Sequence, residues 1–431
     1  MWWTPLFSDE EDVEWDDSAA ARIMLLLTGA LLIRLGFRIW VTTSPRMLLD
    51  VAAVQVIMLV AVWCGLVAVT DTDLSKQGPR LAGGVIVAVT LATLAVMPRA
   101  WVPLATDALL FTKYATVLTL DGANPYLHSM QGATKMDVKS IQWMTAQIDG
   151  SYVWSFSYPA GAFVAYLPAA ALGVEIRTVS VLAAGLAGLV LVRDSPPLLA
   201  TGVPLALMLP RNLIVTAAGG LTDMVWVLPV LIAMRYWYQE RWIVAAVAMG
   251  IACSIKQQPW IICPFLGVWL WKVSDGMRVF ARRAASCLSA GLGTFLLINL
   301  PWIVWDAEAW IAGFLTPVGS SAPLVKQGVG LALLSSSGVY ALPGWWYTAA
   351  VGTVALLSLL AYAVYFERVR WAAWIFPMFI LFFHSRSLLS YFTHFVPIGF
   401  YAVLATRDQL ELANPAPSVD RARNYIAEVS D

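Results

Sequence analysis

Three charged side chains stand where an otherwise apolar chain breaks, and their types suit chemistry on a phosphorylated substrate. Asp107 opens the stretch Asp107-Ala108-Leu109-Leu110-Phe111-Thr112-Lys113-Tyr114, inside a polar loop over about residues 102–155. A carboxylate there can take the proton of an attacking hydroxyl as a general base. Lys256 begins Lys256-Gln257-Gln258-Pro259-Trp260 between two apolar runs, and Arg386 ends His384-Ser385-Arg386. Arginine grips phosphate with parallel hydrogen bonds, and lysine supplies a point charge. Plainer readings compete for each. Asp107 or Thr106 could simply cap a helix lying along the membrane interface. Both cations could simply snorkel to lipid headgroups.

Other polar residues gather near these three in sequence. Asp121-Gly122-Ala123-Asn124-Pro125-Tyr126 reads as a turn, with Asn124, Tyr126 and the following His128 as candidates to bind substrate. Asp137 and Asp149 are further acids of the same loop. Tyr158, Gln257, Lys326 and Tyr391 are further candidates, and Asp223 follows Gly219-Gly220 at the outer start of an apolar stretch. Charged and amide groups at membrane depth are costly and usually face a bundle interior. Arg34 reads as structural. Four cysteines (Cys64, Cys253, Cys263, Cys287) lie in apolar segments without metal-type spacing, so they read as small buried hydrophobes. With only three histidines, no metal site is expected.

These residues need a scaffold, and composition names it. The chain has 431 residues, 60% of them apolar and 13% charged, and its mean hydropathy is +0.72. Soluble proteins carry about 25% charged residues. Zero net charge excludes bulk attraction to nucleic acid. About thirteen apolar stretches between residues 20 and 406 read as candidate spans. The class expected is therefore all-α, a polytopic transmembrane bundle of about 11–13 spans, with outer loops at about 102–155 and 306–343 carrying interfacial helices. Residues 19–406 read as one transmembrane domain between an acidic cytoplasmic tail, 1–18, and a second cytoplasmic tail, 407–431. Lysine and arginine between Lys272 and Arg283 place that loop inside. The loops holding Asp107, Lys256 and Arg386 then face outward. Three apolar stretches between 156 and 219 break the parity of crossings, and Pro196-Pro197, Pro204 and Pro210 mark 196–215 as the irregular one. Tryptophans such as Trp101, Trp302 and Trp345 sit at predicted ends as an interfacial belt.

Taken in order, these motifs resemble the GT-C membrane glycosyltransferases. The nearest likeness is to the polyprenyl-phosphate-mannose-dependent mannosyltransferases of actinobacterial phosphatidylinositol mannoside synthesis. It rests on Asp107 standing 15 residues ahead of Gly122-Ala123-Asn124-Pro125-Tyr126, then Tyr158-Pro159, then Lys256 ahead of Pro259, then Ser385-Arg386, Tyr391 and Pro397. It covers roughly residues 80–405. The chain has Tyr158-Pro159-Ala160 where relatives often show Tyr-Pro-Pro, and Asp107 stands without an adjacent acid.

The resemblance implies Asp107 as the catalytic residue and Lys256, Arg386 and His384 as ligands of the donor phosphate. It implies a polyprenyl-phosphate-linked sugar as donor and a lipid or glycan as acceptor. It requires no cofactor and leaves room for a divalent cation. The expected setting is the plasma membrane, multi-pass, with the site facing the extracytoplasmic side. A transporter or flippase for a lipid-linked or small polar substrate is the rival, because intramembrane charges and broken spans suit that class too.

Overall fold

The structure is a computed structural model that describes residues 17–43, 48–97, 107–136, 144–208, 213–319 and 324–413. Thr106, Asp137 and the acidic N-terminal run lie outside the described residues. Among those described, the chain is all-α apart from one parallel pair of two-residue strands and two isolated bridges.

Among the described residues, five helices are long and apolar enough to cross a bilayer: Asp17–Thr43, Leu48–Val69, Leu74–Val96, Met277–Trp305 and Gly344–Val364. A helix of 22 residues rises about 33 Å, against about 30 Å of hydrocarbon. Two of the five, Met277–Trp305 and Gly344–Val364, bury only 11% of their apolar window. Leu288, Leu292, Leu297 and Val304 on the first therefore face outward. Water would not tolerate an apolar face of that extent, whereas lipid would. The protein is an all-α membrane protein.

The remaining stretches expected as spans are shorter, broken or more charged. Residues 156–173 divide into Gly161–Val164 and Leu167–Ala171, and 196–215 into Pro197–Ala200, Val203–Met208 and Leu213–Ala218. Residues 371–384 yield a 3-10 turn and the helix Phe376–Phe382. Prolines sit in the first turn of several fragments, at Pro168, Pro197, Pro259, Pro264 and Pro377. Each lacks the amide hydrogen that would continue a helix from the preceding turn. Among the described residues, the irregular stretch expected at 196–215 is thus found, and further expected spans are divided in the same way. The last helix, Phe395–Ala413, continues into the first residues of the expected tail.

Two apolar cores organise these pieces. The larger packs Trp226, Trp237, Trp269 and Trp374 among the helices. The smaller packs Phe111, Phe156, Phe163, Trp302 and Trp310, with Phe163 and Trp302 rings edge to face at 4.9 Å. The helix Asp107–Leu120 belongs to both. Leu109 enters the larger core, while Leu110 and Phe111 enter the smaller. That double anchorage holds its first residue, Asp107, at the seam.

Candidate functional site

A cavity of about 440 Å³ opens at this seam, within the roughly 300–1,000 Å³ usual for small-molecule sites. Asp107, Asp223, Lys256, Gln257, His384, Arg386, Tyr158 and Tyr391 all line it. Residues dispersed over most of the sequence therefore converge on one hollow.

Broken helices deliver the charges. The helix Trp242–Ile255 ends at Lys256, whose backbone is extended, and the 3-10 turn Gln258–Ile262 follows with Pro259 at its start. A cation at a helix C-terminus is favoured by the helix dipole, as is an anion at an N-terminus. Asp223 occupies that second position, immediately before the helix Met224–Tyr238. The two side chains pair at 2.6 Å, both buried. Asp223 Oδ1 also accepts from Trp226 Nε1 at 2.9 Å. The rings of Tyr158 and Tyr391 lie 5.6 Å and 5.9 Å from Lys256 Nζ, close enough for cation–π attraction. A buried pair is costly to break from one side, by about 3–5 kcal/mol. Asp223 thus lines the cavity while it holds the lysine in the wall.

Arg386 arrives on a different device. Residues 386–387 pair in parallel with 327–328, and Val329 N donates to Ser387 O at 2.8 Å. Gly328 has φ +149°, and a Cβ there would lie 2.3 Å from Ser387 O. Only glycine permits that approach. The loop before the strand extends the ladder, since Gln147 bridges Leu324 and Val325 N donates to Ala146 O. This small ribbon brings Thr145 beside Arg386.

Thr145 joins the Asp107 carboxylate to the Arg386 guanidinium. Its amide donates to Asp107 Oδ2 at 3.1 Å, and its hydroxyl donates to the same oxygen. Arg386 Nη1 donates to that hydroxyl at 2.9 Å. Among the described residues, Arg386 Nε is buried without a hydrogen-bond partner, an orphan donor within a cavity-lining side chain. His384 Nδ1 accepts from Arg386 N at 3.0 Å, so a neutral ring carries its proton on Nε2. Burial, with the Arg386 charge behind it, pushes this imidazole below its ordinary value. His384 consequently enters the site as a neutral donor, and the positive charge comes from Arg386 and the paired Lys256.

Four of the expected site residues do not line the cavity. Asn124 is buried and caps the following turn, its Oδ1 accepting from Tyr126 N at 3.1 Å. Tyr126 packs on Phe156 and donates to Tyr158 O at 2.8 Å. Both support the wall from behind. His128 is exposed and turns back onto Asn124 O at 2.8 Å. Lys326 donates to Leu342 O and sits over the Tyr347 ring. In each case a protein partner engages the side chain away from the cavity. Gln257 does face the cavity, while its Nε2 donates to Ser157 O at 2.9 Å.

Thr145, Ser157, Thr222 and Trp260 line the cavity without having been expected. Thr145 lies 38 residues from Asp107 and 241 from Arg386, and nothing in its local sequence marks it. Among the described residues, no three His, Cys, Asp or Glu side chains converge as a metal cluster. No protein-family model matches the chain, and no curated protein or solved structure is similar to it.

Proposed function

We propose that this protein is an integral membrane glycosyltransferase of GT-C type. It moves a sugar from a polyprenyl-phosphate donor to an envelope lipid or polysaccharide acceptor at the extracytoplasmic face. Mannose is the sugar suggested by the resemblance in the motifs; another hexose or a pentose fits the same chemistry. The observation that carries this reading is the convergence of Asp107 with Arg386 and Lys256 on one cavity.

The roles follow from position. Asp107 removes the proton from the acceptor hydroxyl as that oxygen bonds to the anomeric carbon. The bond from that carbon to the phosphate oxygen breaks, and the prenyl phosphate departs with the electron pair. Arg386 stabilises the charge on the departing phosphate, His384 adds a neutral donor and Lys256 adds its field. One displacement of this kind inverts the anomeric centre. Orientation has its own support. Lys272 ends one helix, and Arg278, Arg282 and Arg283 stand in the first turns of the next, Met277–Trp305, a helix of 29 residues rising about 43 Å. The segment after its far end, Ala307–Gly319, brings Phe314 and Thr316 to the cavity. Basic segments at the ends of spans favour the cytoplasm, which supports a cavity facing outward.

The test supplies radiolabelled prenyl-phosphate sugars, one at a time, to liposomes holding the purified protein and a lipid extract. Transfer predicts label in a new lipid or glycan that depends on the protein. Label that crosses the bilayer on an unchanged donor would establish the flippase instead.

A further inference from the structure

The Thr145 hydroxyl has two partners, and both belong to the proposed chemistry. A guanidinium has no acceptor atom, so at Arg386 Nη1 the threonine oxygen accepts, at 2.9 Å. Its single proton is then committed to Asp107 Oδ2, which also receives the Thr145 amide. Among the described residues Asp107 Oδ1 receives no hydrogen bond, and Asp107 and Arg386 form no direct ion pair. The loop does not need this side chain for its shape. Its backbone ties run through Val153 N to Thr145 O, at 2.9 Å, and Gln147 N to Ser151 O, at 2.8 Å.

We infer that Thr145 is a positioning residue, whose hydroxyl stands between base and cation so that neither neutralises the other. The inference rests on the transferase reading above. With Oδ2 pinned, Oδ1 is the oxygen left to take the acceptor's proton. Because Arg386 spends one donor on a hydroxyl instead of on a carboxylate, its orphan Nε remains for an anion. A direct carboxylate–guanidinium fork would consume both groups. The acid therefore stays basic and the cation stays available, although both line the same cavity. The same hydroxyl couples them, since an anion drawing Arg386 forward also draws on the group that orients Asp107.

Thr145→Val keeps the shape and removes both hydrogen bonds of the hydroxyl, while Thr145→Ser keeps them. With polyprenyl-phosphate mannose as donor, Thr145→Val should lower kcat by roughly 10- to 100-fold, the loss of one charged hydrogen bond. The donor KM should move little, and Thr145→Ser should stay within about threefold of wild type. A second readout needs no turnover: labelling of Asp107 by dicyclohexylcarbodiimide, followed by peptide mass spectrometry. The released carboxyl of Thr145→Val should label several-fold faster than in wild type or Thr145→Ser. Wild-type kcat in Thr145→Val, or equal impairment in both variants, overturns the inference. If wild type transfers no sugar at all, the transferase reading falls. Labelling then decides Thr145 by itself, and equal rates in all three proteins refute its hold on Asp107.

Discussion

His384 shows how burial selects the form of a single side chain in this site. Burial first, then the Arg386 charge, keep its imidazole below the ordinary value of 6.5. The neutral form is the one the fold favours. As pH falls through the ordinary value, the unfolded chain takes up a proton that the folded chain resists, so stability present at neutral pH is lost on the acid side. His384→Gln should therefore lose less Tm than wild type between about pH 7.5 and about pH 5.5. Thermal scans in detergent at both pH values check this, and equal losses would place the imidazole in open solvent. Asp107, Lys256 and Arg386 were legible because charge is scarce in a chain that is 13% charged, so each one stands out against its surroundings. Thr145 was not legible. A threonine in a polar loop resembles any other until chain segments 241 residues apart meet.

At the scale of elements, the charges arrive by breaks in secondary structure more than by secondary structure itself. Lys256 stands where the helix Trp242–Ile255 ends, ahead of Pro259, and Arg386 stands on two residues of strand held against Gly328. The proline break was readable, because a missing amide hydrogen is a local property. The strand pair was not, because its partner lies at 327–328 and only the close backbone approach requires the glycine there. Asn124-Pro125-Tyr126 was read rightly as a turn, and its partners turn out to support the Tyr158 wall. Gly328→Ala should cost roughly 1–3 kcal/mol, the range for backbone strain of this kind, and should reduce transfer with it. Gly344→Ala is the comparison, because a Cβ there meets open space. Matching thermal midpoints for the two variants would mean that the strand pair does not position Arg386.

Taken as a whole, the molecule is a membrane body whose lipid-facing helices enclose a polar seam. Five unbroken helices and a set of proline-broken ones separate two demands. Long helices satisfy the bilayer, and irregular backbone is admitted only where it lines a cavity or packs on protein. The sequence pattern alone does not separate the two, since apolar composition is shared by a crossing helix and by buried fragments. Sidedness is the testable property at this scale. In a background without native cysteines, Ser336→Cys should react with a membrane-impermeant maleimide in intact cells. Asp275→Cys, in the turn between Lys272 and Arg278, should react only after permeabilisation; both positions are exposed. The reverse pattern would put the cavity on the cytoplasmic side and end the proposal of an outward-facing site. The central claim is narrower still, that the Asp107 carboxylate takes the acceptor's proton beside Arg386. Its most direct measurement is the single-turnover rate of sugar transfer by Asp107→Asn, at matched protein amounts in liposomes with saturating donor. The account predicts a rate lower by roughly 10²–10⁴, the usual contribution of a general base, with donor binding retained; transfer at the wild-type rate would contradict it.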